Sequence, residues 1–311
     1  PDWMEPAADF RRVPDLSPGG IPPSDLVVGT YWSTVPYAVL SGRGVPVHCC
    51  QGIEGENPET ASRREHIDAV YRFPETFKIT ISPHLTRLLR ARYGVAAREV
   101  TYMVDHRVFH PGPERPPGSP LRVGLVGPYQ IAWKDIPTGI RACELAWRAG
   151  LDLKLIRATG TEPHPAEREL AVPFEGCVRV PPARMGAFYR SLDLFLGTSW
   201  GPEEGFFMPA VEAMACGVAC ILTDIPCFRG YGPGNYALFV PPRDPAAMAE
   251  AMVVAAGQPR VTARLRREGL DLAARYRPER HIQELEAAFL SILAEARGPL
   301  PAAAAQAPAR A

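Results

Sequence analysis

The chain reads as an α/β protein built from two parallel-sheet domains with Rossmann-like character. Three observations carry this. Short apolar runs of strand length alternate with helical stretches along most of the sequence, the signature of a sheet covered on both faces. The alternation breaks once, at "HPGPERPPGSP" (His110 to Pro120), which holds five prolines and two glycines and no apolar period. A length of 311 residues with 46% apolar content suits two domains of ordinary size.

Residues 1–24 are Pro/Gly-rich and read as irregular. "DLVVGTYW" (Asp25 to Trp32) and "GVPVHCC" (Gly44 to Cys50) read as buried strands, with "TVPYAVLSGRG" between them as a helix ending at Gly42 or Gly44. "FKITISP" (Phe77 to Pro83) is a third strand, followed by an arginine-rich helix, and "EVTYMV" (Glu99 to Val104) a fourth. The linker follows, and the domain boundary is placed at residue 118. The second domain, 119–278, opens with the strand "LRVGLVG" (Leu121 to Gly127). A helix follows, with Asp135 as its N-cap and Gly150 as its stop. "LDLKLIRA" (Leu151 to Ala158) and "DLFLGTS" (Asp193 to Ser199) are strands, with the helix "PARMGAFYRSL" before the second. "MPAVEAMACG" is a helix with Pro209 in its first turn and Gly217 at its end. The strands "ACILTD" and "ALFVPP" and the helix "DPAAMAEAMVVAAG" complete the pattern, with two more helices after them. The last helix, 279–297, places Ile282, Leu285, Phe289, Ile292 and Leu293 on one face. The tail, 298–311, reads as disordered.

Formal net charge is zero, so bulk electrostatics give no nucleic-acid partner. The charge is locally uneven: "HLTRLLRARYGVAAR" (His84 to Arg98) carries four arginines and no acid. It reads as a solvated helix face, or, as the sharper alternative, as a patch for an anionic membrane surface or a phosphorylated acceptor. The seven cysteines show no C-x-x-C spacing and read as buried thiols of a reducing compartment. No run approaches the roughly 20 apolar residues of a membrane span. The expected location is the cytoplasm, with peripheral contact at the inner membrane face as the alternative.

The chemistry concentrates in "EEGFFMPAVEAMACGV" (Glu203 to Val218). Two carboxylates, Glu204 and Glu212, bracket an apolar run, and an ionised group near a core is paired, hydrated or in use. The loop feeds a helix whose first amides lack internal partners, a seat for phosphate. Gly205 lets backbone approach closely. Lys134, just ahead of the helix at Asp135, opposes the helix dipole unless an anion is present. It reads equally as a phosphate ligand or as a solvated surface lysine.

"EGFFMPAVEAMACGVACILTD" resembles the signature of the retaining glycosyltransferases of family 4, which have the GT-B fold. The match runs through Glu204, Gly205, Phe206, Pro209, Glu212, Ala213, Met214, Ala215, Gly217, Thr223 and Asp224. "VDHRVFHP" at the domain junction and the pair formed by Gly127 and the "WKD" lysine are similar to the family's pattern as well. The resemblance implies two domains facing a cleft, with the closing helix crossing back to the first. It implies that Glu204 holds the donor sugar, Glu212 the ribose and Lys134 the diphosphate. The Gly127 and Gly205 backbone and the amides of Phe206 and Phe207 would line the same donor site. It also implies transfer from a nucleotide-diphosphate sugar to a glycan or lipid-linked acceptor, with no metal and no cofactor.

The sequence departs from the family in three places. The "VGPYQIAWK" stretch has no arginine a few residues ahead of Lys134, where the family carries one; Tyr129, Gln130, Arg184 and Arg229 are the candidates to replace it. Gln51-Gly52 stands where the family has a histidine before glycine, so Gln51 is the first-domain site candidate, while His48 reads as a core histidine. The family's Gly-rich opening loop has no counterpart, so the first domain is expected to be incomplete. A non-catalytic nucleotide-sugar-binding domain is the competing reading; a nucleotide-sugar epimerase or a glycan phosphorylase of the same fold is the third.

Overall fold

The structure, a computed structural model, describes residues 9, 11–13, 15–113, 120–167 and 169–297. The expected disordered tail and the chosen domain boundary lie outside those residues. Two parallel sheets form. The first contains β1 (Leu26–Gly29), β2 (Val45–Cys50), β3 (Phe77–Thr80) and β4 (Arg98–Glu99), in the order β1-β2-β3-β4. Its helices are α1 (Val35–Ser41), α2 (Arg64–Tyr71) and α3 (Pro83–Tyr93). Gly42 ends α1 at φ 59°, the left-handed region that glycine enters without strain.

The second sheet contains β5 (Leu121–Val126), β6 (Leu153–Thr159), β7 (Phe174–Val178), β8 (Leu194–Gly197), β9 (Ala219–Thr223) and β10 (Ala237–Val240). Its order is β10-β9-β8-β5-β6-β7. The chain runs outward from β5 through β7, then returns to the other side of β5 at β8. That reversal opens a crevice above the carboxyl ends of β5 and β8, the place where open α/β sheets bind ligands. Helices α4 (Ile136–Arg148) and α8 (Pro245–Gly257) pack on one face with Val123, Leu125, Leu194 and Ile221. On the other face lie α5 (Pro182–Arg190), α6 (Met208–Ala215) and the short α7 (Pro226–Arg229), with Phe195, Cys220 and Leu222. Helix α9 (Pro259–Ala273) packs on α6.

Helix α10 (Pro278–Arg297) lies on the first sheet, with Ala288 and Ile292 buried against Val47, Ile79 and Val100. Its apolar face is narrower than the sequence suggests: Ile282 is 60% exposed. A continuous apolar cluster joins the two units, with Ile53 and Leu85 of the first packed into one core with Phe206, Tyr231 and Tyr276 of the second.

Several elements differ from the sequence reading. The expected strand 99–104 shrinks to Arg98–Glu99 because α10 and the turn before it take over its backbone: the Thr101 amide donates to Glu284 at 2.9 Å, and the Val104 amide to the Tyr276 carbonyl at 2.9 Å. Asp135 occupies the N-cap position of α4 at φ 47° but makes no capping bond. Helix α2 and strand β7 were not anticipated; β7 is an edge strand carrying Glu175 and Gly176, which weaken a strand signal. All seven cysteines are free thiols. His48 is fully buried, its ring 4.7 Å from Tyr71, and burial lowers its pKa to about 3. No described helix is long and apolar enough to cross a membrane.

Candidate active site

The loop after β5 and the loop after β8 meet over the crevice. Lys134 Nζ lies 2.5 Å from Glu204 Oε2, and the Ser199 hydroxyl donates to the same oxygen at 2.7 Å. Glu204 is 4% exposed. A buried carboxylate needs such partners, and these two meet that need. The ammonium of Lys134 also sits 4.7 Å from the centre of the Phe207 ring, a cation–π contact. The loop carrying Lys134 is fixed from β8: the Thr198 hydroxyl donates to the Lys134 carbonyl at 2.6 Å, and the Trp200 indole to the Ala132 carbonyl at 2.9 Å. Gly127, at the end of β5, takes φ 134° and lies beside the Lys134 stem.

Gly205 carries the loop against the first domain. A Cβ there would clash with the Gln51 carbonyl and stand 3.0 Å from Leu85 Cδ1. Ser82 caps α3 and donates its hydroxyl to the Gly205 carbonyl at 2.7 Å. Gln51 is exposed at the end of β2, and its side-chain oxygen accepts from the Tyr102 hydroxyl at 3.0 Å. Phe206 and Phe207 are buried; their rings pack on Tyr231 and Phe228, at 5.1 Å and 5.7 Å, while their backbone leads into α6.

Glu212 is placed differently. It is half-buried in the second turn of α6, and the Tyr189 hydroxyl of α5 donates to its Oε2 at 2.8 Å. Burial lifts its pKa to about 7, against the pull of that hydrogen bond. No described contact joins it to Lys134 or Glu204. The structure therefore brings Lys134, Glu204, Gly205, Phe207, Gln51 and Gly127 around one seam and sets Glu212 on the flank of α6. Ser199, Ser82 and Tyr189 were not anticipated.

Of the candidate replacements for the absent arginine, three are engaged elsewhere and Arg184 points to solvent. Arg229 pairs with Asp224 at 2.6 Å, and Arg184 is exposed on α5. Tyr129 stacks on His164 with ring centres 4.2 Å apart, and Gln130 meets the Thr161 hydroxyl at 3.5 Å. Hollows also lie elsewhere: one of about 600 Å³ beside β3 and β4, and one of about 650 Å³ between Asp105 and Glu279. Among the described residues no group of three His, Cys, Asp or Glu side chains is placed to hold a metal ion.

The fold is that of the GT-B glycosyltransferases, two Rossmann-like domains facing a crevice. The family model of Glycosyl transferases group 1 matches residues 120–257, a stretch that spans the whole second sheet. Among solved structures, sucrose-phosphate synthase from Thermosynechococcus elongatus is similar over 87% of this chain and 74% of its own, with 18% identity and a TM-score of 0.72. HepE of Anabaena, solved in complex with UDP-glucose, is similar over 86% of this chain and 78% of its own, with 16% identity and a TM-score of 0.69. A glycosyltransferase from Rickettsia africae covers 86% and 77%, with 13% identity and a TM-score of 0.68. None of the curated proteins matches.

Proposed function

We propose that the chain is a retaining glycosyltransferase that moves a sugar from a nucleoside-diphosphate sugar to a hydroxyl of a glycan or lipid-linked acceptor. The carrying observation is the Lys134–Glu204 pair, at 2.5 Å, over the crevice between β5 and β8. A donor there meets a cation for its diphosphate and a fixed carboxylate for its sugar hydroxyls. Lys134 turns from Glu204 to the phosphate, and the amino-terminal end of the α6 dipole, with the amides near it, adds partial positive charge. As the bond from the sugar carbon to the diphosphate breaks, negative charge grows where Lys134 and those amides stand, with no metal required. The acceptor hydroxyl attacks from the same face, its proton passes to the departing phosphate oxygen, and configuration is retained. Glu212 takes the ribose hydroxyls with the carboxylate oxygen that Tyr189 leaves open. Gln51 borders the seam from the first domain, where an acceptor enters.

The complex of HepE with UDP-glucose supports a nucleotide-sugar donor. The exposed Arg87 and Arg90 of α3 support a cytoplasmic enzyme that meets a lipid-linked acceptor at an anionic membrane surface. The second reading, a nucleotide-sugar-binding domain without turnover, draws on the engaged state of Arg229.

The test is release of nucleoside diphosphate from UDP-, GDP-, ADP- and dTDP-sugars, with glycan and lipid-linked acceptors, in the presence and absence of EDTA. Turnover insensitive to EDTA, with the anomeric proton coupling of the donor kept in the product, meets the proposal. Inverted product contradicts the mechanism, EDTA sensitivity contradicts the metal-free step, and binding without turnover favours the second reading.

A further inference from the structure

Arg157 is the largest side chain among those fully buried, at 1% exposure, and it stands within β6 among Leu155, Ile156 and Ala158. Its Nε donates to Glu167 Oε1 at 2.8 Å, and Glu167 is itself buried. Its Nη1 donates to the carbonyls of Ala158 at 2.7 Å and Leu125 at 3.3 Å, and its Nη2 to the carbonyl of Gly127. One guanidinium therefore ties the carboxyl ends of β5 and β6 together. Glu167 extends the tie: its Oε2 accepts from the His164 amide at 2.9 Å, and His164 stacks on Tyr129 of the β5 loop. Gly127 and Ala158, both held by Arg157, line a cavity of about 140 Å³ with Val126, Thr159, Arg179 and Met185.

Stability alone does not account for this pair. A buried ion pair is often no more stable than apolar residues of the same volume, whereas removing one partner is costly. An apolar residue would continue the strand's run; it could not hold three carbonyls. Carbonyl orientation matters at Gly127, whose φ of 134° turns the chain out of β5: its amide donates to the Ala158 carbonyl at 3.1 Å, and its own carbonyl accepts from Arg157.

We propose that Arg157, paired with Glu167, is a positioning residue of the donor site: it fixes the Gly127–Ile131 loop, and with it the approach of the nucleotide end of the donor toward Lys134. The nucleotide part rests on the functional reading above; the loop part does not. Arg157 is buried beneath the loop, so its effect is on affinity through the loop.

The experiment compares the parent chain with Arg157→Met/Glu167→Leu, which removes both charges at similar volume, and with Arg157→Lys, which keeps a cation but cannot span the three carbonyls. Thermal midpoints, amide hydrogen exchange without nucleotide, and calorimetric titration with UDP, GDP and ADP are measured on each. The expected result is a double variant that melts close to the parent, exchanges faster at residues 127–131 and 160–164 than elsewhere, and binds its best nucleotide about tenfold more weakly. Arg157→Lys shows the same local acceleration, so the result stands even where the double variant fails to fold. Unchanged exchange in that loop overturns the proposal, as does parent-like affinity in a double variant whose loop is loosened. If no nucleotide binds the parent, the donor reading fails, and the exchange data still decide whether Arg157 holds the loop.

Discussion

Glu212→Gln is expected to stabilise the protein at alkaline pH and leave it unchanged under acid. The Glu212 carboxyl has its pKa lifted from 4.5 to about 7 by burial, with the Tyr189 hydrogen bond opposing. The folded chain thus keeps this proton up to about pH 7, while the unfolded chain releases it near its ordinary 4.5. Between those values the folded state binds more protons, so the contribution of Glu212 to stability is whole below the lower value and is lost as pH rises through the upper. At 1.36 kcal/mol per unit, the loss reaches about 3 kcal/mol by pH 8. Glutamine fills the same space, still accepts from Tyr189, and has no charge to bury. Urea unfolding of both proteins from pH 5 to pH 8 isolates the effect, because every other titrating group is shared. The difference is expected to be about 1 kcal/mol at pH 5 and to grow to about 3 kcal/mol in favour of the variant at pH 8. A difference that stays flat across the range would show that Glu212 ionises as an ordinary solvated carboxyl, and the account of its environment would fall. A gain in stability at the expense of ligand affinity is the pattern of a group kept for use.

Other changes test the seam and the flank. Gly205→Ala drives a methyl into the Gln51 carbonyl, and a lowered melting midpoint with loss of about 1–3 kcal/mol is expected. Ser82→Ala removes the hydrogen bond to the Gly205 carbonyl and should cost about 1 kcal/mol in chemical unfolding. Tyr189→Phe takes away the bond that lowers the Glu212 pKa, so the pH at which nucleotide affinity changes should move upward in calorimetric titrations.

Much of the fold was legible because periodicity and chain breaks are local. The helix at Met208–Ala215 announces itself through Pro209 and Gly217, and Gly217 takes φ 77° as a helix stop should. What was hidden is long-range. Residues 100–104 have the composition of a strand, yet α10, some 180 positions later, claims their hydrogen bonds. All four strands of the first sheet carry a signal in the sequence, but the shortness of β4 could not be read from its own residues. In the site, the motif drew attention to Glu204, Gly205 and Glu212, and the lysine followed from its place ahead of α4. Ser82 and Tyr189 carry no sequence signal of their own; their roles arise from contacts 123 and 23 positions away. Asp135 shows the opposite failure, a residue with capping chemistry that the backbone turns away from the helix.

The central claim is that the Lys134–Glu204 seam is a nucleoside-diphosphate site. Calorimetric titration of the parent chain and of Lys134→Ala with UDP, GDP and ADP tests it most directly, with circular dichroism to confirm that the variant is folded. The account predicts that at least one diphosphate binds the parent and that the folded variant binds it at least tenfold more weakly, a loss of about 1.4 kcal/mol or more. A parent that binds none of them, or a variant that binds as the parent does, would contradict it.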